Sequence, residues 1–226
     1  MAIPFDGLRK EPVHKGKSLE MTMSQLGFYF DSSSCSGCKT CLMACRDKNN
    51  LESDLLWRRV YELVGGNWMK QGSCWVPDLI VYNLSLSCNH CEEPLCLLGC
   101  PSGAIGKRAD GVVLIDRSRC LGCRYCEWNC PYGAPRYDPK NGRMGKCDFC
   151  VDLIDQGEKP ACVNACPMRA LDFGPVEELK EKYGDRASVF PMPGPELTRP
   201  ALIIKPHPSA IRVRPGQVTV SNREEV

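Results

Sequence analysis

The run Cys120-Leu-Gly-Cys-Arg-Tyr-Cys-Glu-Trp-Asn-Cys-Pro131 decides the reading of this chain. Its cysteines are spaced C-x2-C-x2-C-x3-C, and a proline closes the run. Two-residue gaps wrap three sulfurs around one point. The fourth follows on a short helical turn and faces elsewhere. Three more groups follow: Cys35, Cys38, Cys41 and Cys45 at the same spacing; Cys88, Cys91, Cys96 and Cys100 with a four-residue middle gap; and Cys147, Cys150, Cys162 and Cys166 with an eleven-residue one.

The groups share their flanks as well. Cys100-Pro-Ser-Gly-Ala104, Cys130-Pro-Tyr-Gly-Ala134 and Cys166-Pro-Met-Arg-Ala170 repeat one ending, whereas Arg46 follows Cys45. Asp31 precedes Cys35 and Asp116 precedes Cys120 by the same four residues, each after a short apolar run. These are internal repeats of one unit: strand, ligand loop, helix. Groups two and three start close together (88 and 120), while groups one and four start far apart (35 and 147). The middle pair therefore reads as a unit inserted into the outer pair.

The chain has 226 residues, enough for one large domain or two small ones. Its 17 cysteines are counted in the 43% hydrophobic content, so the apolar core left without them is modest. Twenty-nine Lys+Arg against 27 Asp+Glu leave a net charge of +2, which argues against nucleic-acid binding driven by phosphate attraction. A disulfide framework fits poorly, because the cysteine count is odd and the chain is long. We expect no signal peptide, since the first 30 residues lack an apolar core and Arg9-Lys10 is not a twin arginine. No apolar run approaches the roughly 18 residues of a membrane span, so membrane attachment would come from a partner.

Along the chain, residues 1–24 read as an extended arm, with Met21 and Met23 before a first strand at 27–31. Lys39 to Asn49 reads as a helix. Residues 55–86 read as a β-rich long hairpin or meander with a turn signal at Gly65-Gly66-Asn67. A strand is expected at 111–116 and a surface helix at 175–183, stopped by Gly184. Seven prolines from Pro191 to Pro215 make residues 191–226 an extended tail that cannot form its own core and lies along the body or a partner.

Four thiolates arranged in this way suit a [4Fe–4S] cube, which takes one thiolate per iron from four directions. Bacterial two-cluster ferredoxins use the same run, and their fourth cysteine ligates the other cluster. Reciprocal donation then assigns four sites: Cys35, Cys38, Cys41 with Cys166; Cys147, Cys150, Cys162 with Cys45; Cys88, Cys91, Cys96 with Cys130; and Cys120, Cys123, Cys126 with Cys100. Zinc is the rival, since C-x2-C pairs also build tetrahedral thiolate sites. It has no use for cysteine triplets or for the closing proline. Cys74 is left over and reads as a buried structural thiol. His90 reads as a surface loop residue, with a bond to a cluster sulfur as the alternative. Arg58 and Arg59 read as a solvated or partner-facing strand edge. Lys107, Arg108 and Arg124 either raise a cluster potential or are solvated surface. There is no glycine-rich nucleotide loop, histidine pair or nucleophile elbow, so no catalytic residue is assigned.

Ser34-Cys-Ser-Gly-Cys-Lys-Thr-Cys41, Ser87-Cys-Asn-His-Cys91, Cys123-Arg-Tyr-Cys126, Cys130-Pro-Tyr-Gly-Ala-Pro135 and Arg169-Ala-Leu-Asp-Phe-Gly-Pro175 carry a resemblance. From about Gly27 to Lys205 the chain resembles the four-cluster iron–sulfur (B) subunit of the dimethyl sulfoxide reductase family of molybdopterin oxidoreductases. The resemblance implies an electron-transfer role in anaerobic respiration, without catalysis by this chain. It implies two partners: a large molybdopterin-containing catalytic subunit and an integral-membrane, quinol-oxidising anchor. Reciprocal pairing is the family's arrangement too. Formate dehydrogenase subunits of this type carry a C-terminal membrane helix that is lacking here. Nitrate reductase subunits are far longer and replace one ligand by tryptophan. Polysulfide, selenate and other oxyanion reductases stay open, as does a stand-alone soluble polyferredoxin, which would gain nothing from long extended ends. Export to the periplasmic face with the catalytic subunit fits the family, and a cytoplasmic complex fits the sequence equally.

The expected fold is α+β: two nested bacterial two-[4Fe–4S] ferredoxin-like units with a β-rich insertion and an extended C-terminal tail. The arm is 1–24. The outer unit is 25–86 plus 140–190, with the insertion at 55–86. The inserted unit is 87–139, and the tail is 191–226.

Overall fold

The computed structural model describes residues 24–226, so the expected arm lies outside the described residues except for its last residue. The chain is α+β. In order, it forms β1 (Leu26–Asp31), α1 (Thr40–Lys48), β2 (Arg59–Gln71), β3 (Cys74–Leu86), α2 (Leu95–Leu98), β4 (Ile105–Lys107) and β5 (Val113–Ile115). Then come α3 (Tyr125–Asn129), β6 (Arg136–Asp138), β7 (Arg143–Gly145), α4 (Val151–Ile154), α5 (Ala161–Asn164) and β8 (Leu171–Pro175). The chain ends with α6 (Val176–Tyr183), β9 (Leu202–Lys205), α7 (Pro208–Arg212) and β10 (Val218–Val220).

Outside the 13-residue strands β2 and β3, the strands are short because the chain keeps breaking off to form cysteine loops. β4–β5 and β6–β7 are two-stranded antiparallel ribbons of three residues a side. Such ribbons are marginal alone and need a packed neighbour. The repeated aspartate has a local explanation. Asp31 Oδ1 accepts from the Ser33 backbone N–H at 2.8 Å, and Asp116 Oδ1 accepts from that of Ser118 at 2.9 Å. Both are Asx turns, which swing the chain out of a strand and into the cysteine loop.

The tail contributes more to the core than its proline content implies. β9 pairs parallel with β1, Phe28 opposite Leu202, while β8 pairs antiparallel on the other side of β1. Leu202, Ile203 and Ile204 are buried. The expected surface helix is α6, with Val176 and Leu179 buried and Gly184 at φ 89° ending it. Tyr183 stacks on Tyr29 at 3.6 Å between centroids, fixing α6 to β1.

The hairpin does not turn where expected. β2 runs through Gly65 and Gly66 to Gln71, and the turn falls between Gln71 and Cys74. The glycine pair serves close approach instead. A Cβ on Gly65 would lie 2.0 Å from the Gln217 carbonyl oxygen, where the chain enters β10, which pairs with β2. Cys74 is a second correction: it is exposed at the hairpin end, not buried. It reads as buried by residue type, whereas the strand carries it past the edge of the core.

Gly27 offers a direct test of the tail's docking. A Cβ there would lie 2.5 Å from the Ala201 carbonyl oxygen and 2.7 Å from Val176 Cγ2. Gly27→Ala is expected to destabilise the chain by about 1–3 kcal/mol through overpacking. A lowered thermal midpoint would show it, and an unchanged midpoint would mean that β1 and the tail are not packed this closely.

Candidate metal centre

Two pairs of short helices bring the cysteines together. α1 packs on α5, and α2 packs on α3. α1 carries Cys41 and Cys45 one turn apart, and α5 carries Cys162 with Cys166 just beyond its end. α2 and α3 carry Cys96 and Cys126, again with Cys100 and Cys130 just beyond. In each pair the last cysteine of one helix thus faces the loop of its neighbour.

Two groups of four cysteines each line a cavity. Cys35, Cys38, Cys41 and Cys166 line one cavity together with Phe30, Val60 and Leu171. Cys88, Cys91, Cys96 and Cys130 line a second, with Val113 and Lys146. Elsewhere Cys45 has Cys162 and Cys150 as its sulfur neighbours, and Cys147 has Cys45, Cys88 and Cys162. Cys126 has Cys120, Cys100 and Cys123 around it.

The cysteine loops share one backbone. In each group the second residue after the first cysteine adopts positive φ: Gly37 at 72°, His90 at 43°, Gly122 at 69° and Phe149 at 63°. The closing repeats do the same at Gly103, Gly133 and Arg169. That left-handed residue turns the next N–H toward sulfur: Ala104 donates to Cys100 Sγ at 3.3 Å, and Ala134 to Cys130 Sγ at 3.4 Å. Gly122 and Met144 both donate to Cys120 Sγ at 3.4 Å, and Phe149 donates to Cys147 Sγ at 3.4 Å. Amide donors aimed at sulfur favour thiolate over thiol.

Burial acts in the opposite direction. It pushes the Cys45 and Cys126 thiols up to about 12, and those of Cys35 and Cys150 up to about 11. Thiols this reluctant to ionise need a metal to hold them deprotonated, so metal binding must release protons. Among the described residues, no three Cys, His, Asp or Glu side chains close on a point as a single ion requires. Four thiols stand around each of the two cavities, a donor set that fits a cube with one iron per thiolate.

Cationic and imidazole groups depart most from the sequence reading. Arg58 and Arg59 are not a solvated edge: they are 2% and 6% exposed. Arg59 Nη2 donates to the Gly133 carbonyl at 2.8 Å, inside the Cys130 loop. His90 is not at the surface either. It is 1% exposed, accepts from the Val113 N–H at 3.0 Å through Nδ1, and meets Phe149 edge-to-face at 5.1 Å. Burial, helped by Lys146 and Lys107, holds its pKa well below the ordinary value, so the ring is neutral. His90 and Phe149 occupy equivalent loop positions in groups two and four, so this contact joins the two loops. Lys146, which drew no attention in the sequence, is buried with Nζ donating to the Cys147 carbonyl at 3.0 Å. Of the three cations that did, Arg108 pairs with Asp155 and Asp110, Arg124 pairs with Glu127, and Lys107 bonds the Cys91 and Glu92 carbonyls.

Known proteins share most of this sequence. The anaerobic dimethyl sulfoxide reductase of Escherichia coli (strain K12) has a chain, designated B, that is 51% identical over 184 residues, covering 81% of this chain and 90% of that one. The chain belongs to this family of iron–sulfur subunits. It is therefore an iron–sulfur electron-transfer subunit of the dimethyl sulfoxide reductase group and not itself the catalyst. A second E. coli (strain K12) relative, the probable anaerobic dimethyl sulfoxide reductase chain YnfG, is 48% identical over 206 residues, or 90% of this chain and 99% of that one. The formate dehydrogenase-O iron-sulfur subunit of the same organism is 34% identical over 167 residues, or 70% of this chain and 56% of that one. The family described as "4Fe-4S dicluster domain" matches residues 79–176, a range that takes in all of groups two, three and four. No helix among the described residues is long and apolar enough to cross a membrane.

Proposed function

We propose that the sixteen grouped cysteines hold four [4Fe–4S] clusters in the reciprocal sets assigned above. The chain then relays electrons from a quinol-oxidising membrane anchor to a molybdopterin catalytic subunit in a dimethyl sulfoxide reductase-like complex. The observation that carries this reading is the cavity lined by Cys166 together with Cys35, Cys38 and Cys41, partners more than a hundred residues apart in sequence. Each bound cluster supplies one-electron chemistry. The protein supplies thiolates, amide donors to sulfur, and apolar walls such as Phe30, Val60 and Leu171 that exclude water. Hydrogen bonds to sulfur and solvent exclusion both tune a cluster's potential.

The nested organisation belongs to the same proposal. Residues 87–139 carry the inner two clusters, and the flanking segments carry the outer two. The complex attaches to the membrane through its anchor, with this chain on the periplasmic face after export with the catalytic subunit. Purification under native conditions tests the reading. It requires about 16 irons and as many acid-labile sulfides per chain, as four cubes demand, together with a large molybdenum subunit that copurifies. A chain that elutes alone with full clusters would be a free polyferredoxin. A few zincs without sulfide would end the cluster assignment.

A further inference from the structure

Arg58 is buried between two of the proposed sites and, like Lys146, has no carboxylate partner among the described residues. Its guanidinium is held by neutral groups only. Nη1 donates to Ser85 Oγ at 3.1 Å and to the Ser85 carbonyl at 3.3 Å, and Nη2 donates to Ser87 Oγ at 3.0 Å. The ring of Phe28 lies beneath it, 5.1 Å from centroid to guanidinium carbon. A guanidinium does not lose its proton in a protein, and removing it from water without a counter-charge is strongly unfavourable. The counter-charge must be nearby.

Sulfur is what surrounds it. The sulfurs near enough to act on its charge are those of Cys162, Cys41, Cys147 and Cys45. Cys41 belongs to the first set and the other three to the set built on Cys147. A hydroxyl also bridges the guanidinium to a ligand: Ser85 Oγ accepts from Arg58 and lies 3.3 Å from Cys41 Sγ, to which its own proton can be donated. A thiolate-bound cluster is anionic and becomes more so on reduction, so a fixed positive charge beside it favours the reduced state.

We infer that Arg58 is the internal counter-ion shared by the two outer clusters, raising the reduction potential of both. This rests on the cluster assignment proposed above, which iron and sulfide content tests separately. The experiment is a redox titration of the native complex, followed by electron paramagnetic resonance, in Arg58→Gln, Arg58→Lys and Ser85→Ala variants. The outer centres are identified as those whose signals change in Cys41→Ala and Cys45→Ala variants. Arg58→Gln is expected to lower both outer midpoints by at least tenfold in the reduction equilibrium, about 59 mV for a one-electron couple, and to leave the inner two unmoved. Arg58→Lys should restore most of the shift, because it keeps the charge. Ser85→Ala should give a smaller downward shift at the Cys41 site alone. Unchanged midpoints with full iron in Arg58→Gln would overturn the inference, as would equal shifts at all four centres. Should Arg58→Gln fail to assemble, an Arg58→Lys variant with lowered outer midpoints, or a Ser85→Ala variant with none, would overturn it as well. Normal iron with unmoved potentials defeats only the role of Arg58, whereas wrong iron content in the unsubstituted chain defeats the cluster assignment itself.

Discussion

Cys100→Ala is expected to destroy or convert the cluster built on Cys120, Cys123 and Cys126, and to spare the one built on Cys88, Cys91 and Cys96. Sequence proximity argues for the opposite, since Cys100 lies four residues after Cys96 and twenty before Cys120. Geometry decides it. Cys100 follows α2, which packs on α3, and its sulfur neighbours Cys126. The Cys100 thiol is tuned for its place as well. Burial raises its pKa, but donors from the Ser102 side chain and the Ala104 and Ile105 amides outweigh that and hold it below the ordinary thiol value. The measurement is a comparison of spectra. Cys100→Ala and Cys123→Ala should lose the same paramagnetic signal, and Cys91→Ala and Cys130→Ala a different one. The effect per variant is loss of one centre of the four, with about one to four fewer irons. Cys100→Ala sharing its lost signal with Cys91→Ala would remove the crossing, and with it the reason for two sites within one short segment.

What the sequence revealed and what it concealed divide along one physical line. Features set by a few adjacent residues were legible. The cysteine spacing, the repeated aspartates Asp31 and Asp116, the end of α6 at Gly184 and the helix after Cys38 were all visible, and the structure shows that the aspartates form Asx turns. Features set by distant contacts were not. Arg58 and Arg59 read as exposed because arginines usually are; their burial depends on β3, the Cys130 loop and the cysteines of α1 and α5 arriving together. His90 stands where two other groups have glycine, and only the folded chain brings Phe149 against it. Gly65-Gly66 carries a turn signal, yet Gly65 makes room for the backbone at residue 217 and Gly66 for that at Asp78. β9 is the sharpest case. Leu202-Ile-Ile-Lys205 is an apolar island in a proline-rich tail, and its parallel partner lies near the other end of the chain. Strand alternation would not have flagged the pair, because Arg58 lies just before β2, Arg59 opens it, and both are buried.

Removal of the iron with a strong chelator under reducing conditions is expected to unfold the cysteine-bearing body of the chain. The reason lies in what fills the core. The principal apolar cluster includes Cys41, Cys88, Cys147, Cys162 and Cys166 among its buried members. The second, beneath β4 and β5, has only seven buried members, and Cys96, Cys120 and Cys126 are three of them. Free thiols in these places would be small and unlinked. With iron they become cross-links between α2 and α3 and between α1 and α5. A folded domain is stable by only about 5–15 kcal/mol, and metal-binding free energy acts as folding free energy where the site does not exist in the unfolded chain. Most of that margin should therefore disappear with the metal. The loss should also be uneven. Residues 105–115 and 143–145 depend on the cysteine-rich second cluster and should lose amide protection first. β1, β9 and α6 keep an iron-independent contact in Tyr29, Leu179 and Ile203, with Tyr183 stacked on Tyr29, and should be the last to exchange. Hydrogen exchange read by mass spectrometry, with near-ultraviolet circular dichroism beside it, resolves both parts. An iron-free chain with the protection and dichroism of the loaded one would show that side-chain packing alone holds this fold. Uniform loss, with β1 and β9 exchanging as fast as β4 and β5, would show that the clusters support the whole molecule equally.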